Sequence, residues 1–476
     1  MEQMGIIEYI NIFYILFAIS LIIIYLLTGL LSIYEIKKYI DKNRYVDYKL
    51  ILNYKYLPSI SIIAPAFNES KTIVENINCL LSINYTDFEI IIVNDGSTDN
   101  SLEIILENFD MIKVNQAFES NLSCEPVNAI YKSRNSAYNQ LVVIDKKNGG
   151  KADALNAGLN LSSKELFLAL DVDCIIESDA ILKMVKPFLD NSKQIVIAAG
   201  GVIRVANSCN VIDGKVTQVN FPKNIYAKFQ VLEYIRAFML SRMAWSRLNG
   251  LLIISGAFGL FDRKRVVKIG GYDRNTVGED LELVVRLRKY MHDIEKKKYK
   301  VAFIPDPLCW TEVPESFKNL SGQRNRWTRG GIDTILKHKN MFFNPRYGTI
   351  GMLSFPYWVF FEWLAPIIEF FGLLYFITIF ALGFVNIQVF LVMLTFLLAF
   401  SVMYSFFAIF LESYSFNKYK GTSFVIQISV IIIFEMIIYQ PMIMIFSLFG
   451  NMDFFLKKNK KNWGKMTRKG FNNTES

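Results

Sequence analysis

The sequence predicts an α/β fold, an open parallel sheet covered by helices on both faces and inserted between apolar segments able to cross a membrane. Three observations carry this. Near-continuous apolar strands alternate with helical stretches between residues 59 and 170, the pattern of parallel strands buried on both faces. Each strand ends in a polar loop. Residues 10–31 carry no charge for 22 positions, enough to span a bilayer core.

The elements follow in order. The run INIFYILFAISLIIIYLLTGLL is too long for a signal-peptide core, and no A-x-A-like cleavage site follows it. It reads as an uncleaved anchor. SISIIAPAFN (59–68) is a strand ending in Pro65 and Asn68, before a helix with Ile73, Ile77 and Leu80 inside. FEIIIVNDGSTDNS (88–101) repeats the form and leads into the helix LEIILENF. QLVVIDK (140–146), a glycine turn, the helix KADALNAGL and the strand FLALD complete the series. Open sheets bind ligands where strand C-termini meet loops. Here those loops are AFNES, NDGSTD, KKNGGK and DVDC, all on one edge.

Further apolar blocks occupy 352–384, 386–411 and 423–449. Five domains are expected: an N-terminal anchor (1–36), a cytosolic domain (37–316), amphipathic interface helices (317–350), membrane helices (351–450) and a basic tail (451–476). Lys37, Lys38, Lys42, Arg44, Lys49 and Lys55 follow the first span, and residues 1–9 hold no Lys or Arg. The positive-inside rule then puts the N-terminus outside and the middle domain in the cytoplasm of a multi-pass plasma-membrane protein. One conflict results. One span before the domain and three after it carry the tail outside, yet the seven Lys/Arg in 457–469 call for the inside.

The net charge of +9 suits membrane lipids. No recognition module accompanies it, so nucleic acid is not an expected partner. Five scattered cysteines without a C-x-x-C pair read as reduced packing thiols, and the two histidines have no metal-ligand spacing.

Chemistry concentrates in the loops. Glu69 and Asp95 follow strand ends, where such acceptors read a base or a ribose hydroxyl; helix capping by Asn68 and Asp95 is the plainer alternative. KKNGGKAD (146–153) has two glycines that let amides approach phosphate, with Lys151 as a point charge. It is not a Walker A loop, since Asp145 holds the first glycine's place and Ala152 follows the lysine. Asp171 and Asp173 point to one face of an extended chain and repel without a cation or proton; as hard oxygen ligands they suit Mg²⁺ or Mn²⁺. Ser255, Gly256 and Ala257 form a small-residue turn where a sugar ring can approach backbone. Glu279 and Asp280 open a helix; Asp280 there is placed to accept a hydroxyl proton. In QRNRW (323–327), Arg326 can clamp phosphate and Trp327 can lie against a sugar face, or the stretch is an interfacial helix with Trp at headgroup depth.

Together, APAFNES, VNDGSTD, KKNGGKADALN, DVDC, ISGAFG, GED and QRNRW resemble the processive, membrane-embedded inverting glycosyltransferases of family 2, the cellulose, hyaluronan, chitin and poly-N-acetylglucosamine synthases. The resemblance covers about residues 55–450. It implies a GT-A-type, Rossmann-like domain and a UDP-sugar donor. Asp95 then matches the aspartate contacting uracil, with Pro65, Phe67 and Glu69 nearby. Lys151 lies near the diphosphate, Asp171 and Asp173 form the D-x-D pair with Asp173 on the metal, and Asp280 is the general base, in GED where many members read TED. Gln323, Arg326 and Trp327 match Q-x-x-R-W, which holds diphosphate and the acceptor sugar; Gly256 and Ala257 flank the acceptor.

The expected reaction is a single displacement, converting an α-linked donor into a β-linked polymer that leaves through the membrane helices. Glu362, Glu369 and Glu435, with Trp358, Trp363 and Tyr439, would line its path; helix–helix hydrogen bonds are the alternative. Glucose is the expected donor, giving a cellulose-like or mixed-linkage glucan, and a UDP-hexosamine such as UDP-N-acetylglucosamine is the alternative. The growing polysaccharide is the acceptor, and accessory export or cell-envelope proteins are compatible partners. The rival readings are a non-processive transferase to a lipid phosphate, a transporter with a nucleotide-binding domain, and a non-catalytic scaffold.

Overall fold

In the computed structural model, residues 2–118, 120–190, 193–212 and 214–456 are described, so the basic run 457–469 lies outside the described residues. The strands are β1 (Ile60–Ala66), β2 (Phe88–Asp95), β3 (Met111–Val114), β4 (Val127–Ser133), β5 (Leu141–Lys146), β6 (Leu166–Leu170), β7 (Ile175–Ile176), β8 (Ile195–Val205), β9 (Asn210–Ile212), β10 (Lys215–Gln218), β11 (Phe258–Asp262) and β12 (Tyr299–Thr311). Ten of them form one sheet, in the order β3-β4-β5-β2-β1-β6-β11-β8-β12-β7; β9 and β10 form a separate hairpin.

The predicted parallel core is present: β5, β2, β1 and β6 run together, β1 and β2 in register from Ile60↔Phe88 to Ala66↔Asn94. Ile62, Ile90, Ile92, Val143 and Leu168 are fully buried in it. The sheet as a whole is mixed, because β11 is antiparallel to both β6 and β8. The reason is where the chain re-enters the sheet. After the helical stretch 225–247 the backbone returns at the loop edge, so β11 starts where β6 ends and Phe258 pairs with Leu170. That reversal delivers the Ser255–Ala257 turn to the polar edge.

The helix Lys151–Leu161 lies flat on the sheet through Gly158, where a Cβ would sit 2.3 Å from Ile63 Cγ2. A second close approach sets the QRNRW helix, Phe317–Lys337, against the GED turn. A Cβ on Gly330 would lie 2.7 Å from the Cα of Gly278, so the two backbones touch.

Among the described residues, three helices are long and apolar enough to cross a membrane: Ile7–Asn43, Ile387–Ser415 and Thr422–Phe455. A fourth candidate is the pair Ile350–Trp363 and Ala365–Ala381, bent by 42°; the block predicted at 352–384 is therefore two pieces. Buried ion pairs tie these helices to the domain: Arg204 to Glu412 at 3.0 Å, Arg236 to Glu435 at 2.5 Å. Tyr439 donates to Glu233 at 2.7 Å, and Arg324 bonds the same carboxylate. Glu435 and Tyr439 thus follow the helix-anchoring alternative.

Candidate active site

The C-terminal ends of β1, β2, β5 and β6 open onto one cavity of about 1520 Å³. Its wall includes Pro65, Phe67, Glu69, Asp95, Lys151, Asp171, Asp173, Gln323 and Arg326. Nine of the fourteen residues expected to serve donor, acceptor, metal or proton transfer are thus brought to one space. The β1 and β2 loops are stitched together to form its floor. Asn68, in the left-handed region at φ 58°, accepts from the Thr98 amide at 2.8 Å, and Asp99 accepts from the amides of Ser70 and Ser101. Asn68 therefore ties one loop to the next, and neither it nor Asp95 caps a helix; the helix after β2 starts at Ser101. Phe67 keeps 44 % of its surface exposed at the cavity wall.

Asp95 is buried, and its carboxylate organises the glycine loop. It accepts from Lys146 Nζ at 2.5 Å and from the amides of Gly149 at 3.0 Å and Gly150 at 2.7 Å. Lys146 is itself fully buried and reaches Asp153 at 2.6 Å. Asp153 also meets Arg274 Nε at 2.5 Å, and Arg274 donates to Glu125 at 2.6 Å. This chain of alternating charges fastens the glycine loop, the first turn of the helix after it, and the loops at 125 and 274. Sequence reading singled out none of Lys146, Asp153 and Arg274. One signal was available: a lysine ending an apolar strand needs a carboxylate once buried.

The second centre is the Gly256 turn, which joins the remaining motifs. Gly256 N–H donates to Asp280 Oδ2 at 2.9 Å, and its carbonyl accepts from Lys151 Nζ at 3.0 Å. Ala257 O accepts from the Asp171 amide at 3.2 Å. Lys151 also pairs with Asp171 and stands 3.7 Å from Glu279 Oε1. Only glycine fits here without displacement: a Cβ would meet Lys151 Nζ at 3.1 Å, with Asp280 Cβ and Glu279 Oε1 at 3.3 Å. Burial works against the Lys151 charge, but Asp171, Glu279 and Asp280 together hold its pKa above the usual lysine range. Burial pushes Glu279 up to about 7; Lys151 opposes the shift and Asp280 adds to it. Lys151 is therefore a fixed cation between the cavity and the GED turn.

Glu279, Asp280, Gly256, Ala257 and Trp327 do not line the cavity itself. Gly256 and Glu279 contact Lys151 directly, Asp280 reaches it through the Gly256 amide, and Ala257 through Asp171. Trp327 lies off the cavity with the Arg324 guanidinium 4.3 Å over its ring. On the QRNRW helix, Arg326 and Gln323 face the cavity, while Arg324 faces the membrane helices through Glu233 and Tyr439. Among the described residues no group of three or more His, Cys, Asp or Glu side chains is assembled for a metal.

A mixed α/β sheet with a carboxylate-rich cavity at its loop edge, flanked by membrane-length apolar helices, has the architecture of GT-A glycosyltransferases. The chain carries family 2 glycosyltransferase domains: residues 61–119 match "Glycosyl transferase family 2" and residues 129–330 match "Glycosyltransferase like family 2". It is 29 % identical over 284 residues to a poly-beta-1,6-N-acetyl-D-glucosamine synthase of Staphylococcus epidermidis, covering 60 % of this chain and 57 % of that protein. The synthase of the same name from Staphylococcus aureus strain COL is 28 % identical over 287 residues, with 60 % and 58 % covered. The chain thus spans a little over half the length of these relatives. A mannosyltransferase from Pyrobaculum calidifontis, solved with GDP-mannose and Mn²⁺, shares the fold with a TM-score of 0.53 at 15 % identity, over 93 % of this chain and 99 % of that one.

Proposed function

We propose that the protein is a processive inverting glycosyltransferase that builds a β-linked N-acetylglucosamine polymer from UDP-N-acetylglucosamine at the cytoplasmic face of the plasma membrane. The observation that carries the chemistry is the convergence of Lys151, Asp171 and Asp280 on the single turn at Gly256. The donor choice rests on the synthases named above, which favour the hexosamine over the glucose first expected from the motifs.

Each residue then has a task. Phe67 offers a flat apolar surface to the base, with Pro65 and Glu69 beside it. Asp95 fixes the glycine loop so that its backbone faces the donor. Lys151 and Arg326 bring positive charge to the diphosphate, where negative charge grows as the bond to the sugar breaks. Asp280, held by the Gly256 amide, takes the proton from the attacking acceptor hydroxyl. Gln323, Trp327, Gly256 and Ala257 bound the acceptor side. Asp171 and Asp173 fit a hard divalent cation: two carboxylates one residue apart on a roomy cavity wall, with further ligands left to donor oxygens and water. Mg²⁺ or Mn²⁺ held there would stabilise the departing diphosphate.

The test is direct. Purified protein in lipid is given UDP-N-acetylglucosamine or UDP-glucose with Mg²⁺ or Mn²⁺, and released UDP and product length are measured. A long product from the hexosamine donor, cut by a glycosidase specific for β-linked N-acetylglucosamine, is expected. A polymer from UDP-glucose alone restores the glucan reading, and a single glycosyl-lipid product overturns processivity.

A further inference from the structure

We infer that the Arg242 guanidinium is an acceptor-binding group, donating to a sugar oxygen of the growing chain on the membrane side of Asp280. This rests on the acceptor role proposed for Asp280 and adds a residue outside the motifs. Arg242 closes a π-helical turn, Ala237–Arg242, within the helical stretch 225–247. Such wide turns are frequent at functional sites. This one packs against the membrane helices Glu2–Asn43 and Ile387–Ser415 as well as the strands β8 and β12.

The guanidinium differs from the other arginines at this border. Arg204, Arg236 and Arg324 meet the carboxylates of Glu412, Glu435 and Glu233 at 3.0, 2.5 and 2.5 Å. Arg242 lies 4.4 Å over the Phe238 ring, and its Nη1 is buried with no hydrogen-bond partner. Among the described residues it joins no ion pair. Burying a cation costs free energy unless its donors are used. A guanidinium kept there without a protein partner is the arrangement of a group whose partner is a ligand. Burial takes its pKa down to about 10, opposed first by Asp280 and then by Tyr234 and Glu362, so it remains a cation at neutral pH. Both carboxylates act on it and neither binds it.

Its neighbours suit a sugar. Tyr234, Phe238 and Arg242 follow at four-residue spacing along one helix face, with the Tyr234 and Phe238 rings edge-on at 5.6 Å. Trp245 comes three positions later, and its Nε1 is a second buried donor with no partner. The rings of Trp245 and Tyr357 are 5.1 Å apart, and Tyr357 donates to Glu362 at 2.9 Å. At the other end of the stripe Glu233, next to Tyr234, binds Arg324, whose guanidinium covers Trp327. The stripe thus joins the tryptophan expected to hold the acceptor to a glutamate expected on the polymer path. Aromatic faces beside unused donors match a pyranose ring, which is apolar on its C–H face and hydroxylated at its rim.

Full-length Arg242→Met and Arg242→Lys proteins, purified in lipid, are compared with wild type for UDP release from UDP-N-acetylglucosamine, product length and thermal unfolding. Losing a charged donor to the acceptor lets the chain escape sooner. Arg242→Met should therefore shorten the product by at least about tenfold while the donor KM stays within about twofold. Arg242→Lys keeps the charge and should fall between the two. Because the cation leaves no protein partner stranded, the Tm of Arg242→Met should lie no more than about 2 °C below wild type. Wild-type product length from Arg242→Met overturns the inference and leaves the polymerase reading in place. A larger fall in Tm together with a raised donor KM overturns it too, since that marks a structural residue. If the wild type makes no polymer, the polymerase reading falls and this inference with it.

Discussion

Replacing Lys146 by methionine keeps most of the side-chain volume and removes one fully buried cation. Two carboxylates lose a partner at once, Asp95 at 2.5 Å and Asp153 at 2.6 Å. Taking one partner from a buried pair costs about 3–5 kcal/mol, because the charge left behind stays out of water. Residual donors reduce the loss here. Asp95 keeps the Gly149 and Gly150 amides, and Asp153 keeps Arg274. About 3 kcal/mol is therefore expected, or a fall of about 6–12 °C in Tm at about 2–4 °C per kcal/mol. Thermal unfolding of the purified protein in detergent, followed by tryptophan fluorescence, measures it. Adding Asp153→Asn should recover more than about 1 kcal/mol, since the two changes share a contact. A single variant within about 2 °C of wild type, or strictly additive effects, would show that the glycine loop is held by something other than this cation.

Four further outcomes follow from the same geometry. Asp280→Asn keeps the Gly256 contact but cannot take a proton, so turnover should fall by about 10²–10⁴ with UDP affinity unchanged; lost UDP binding would make Asp280 a structural residue. Asp173→Asn should raise the Mn²⁺ concentration needed for half-maximal rate by at least about tenfold, a shift that unchanged Mn²⁺ dependence would contradict. The pKa of Glu279 is raised from its ordinary 4.5 to about 7 by burial, so the fold favours its neutral form. The stability this contributes is fully present below about pH 4.5 and is lost as pH rises through about 7. Glu279→Gln should therefore match wild type in Tm at pH 5 and exceed it at pH 8; equal curves at both would refute the shift. Gly330→Ala would place a Cβ 2.7 Å from the Gly278 Cα, so the QRNRW helix must move. A loss of about 1–3 kcal/mol and a drop in rate are expected, measured by thermal unfolding and UDP release.

The strands of the parallel core were legible because their apolar runs are continuous, and the loops after them because each breaks into polar residues. Asp171, Asp173 and Asp280 stood out as carboxylates placed where no core needs them. What the local pattern could not give was who meets whom. Lys146 looks like an ordinary strand end until Asp95 and Asp153, 51 and 7 positions away along the chain, close around it. Arg324 and Arg326, two residues apart, point about 200° apart around their helix, but that the first faces the membrane helices and the second the cavity is set by how the helix docks, with Gly330 against Gly278.

The sequence by itself determined the strand–loop rhythm, the family motifs and the apolar segments, because periodicity and composition are properties of neighbours along the chain. The tertiary structure alone decided the reversed β11, the burial of Lys146 and the convergence on Gly256, because buried charge and close backbone contact depend on residues that meet only after folding.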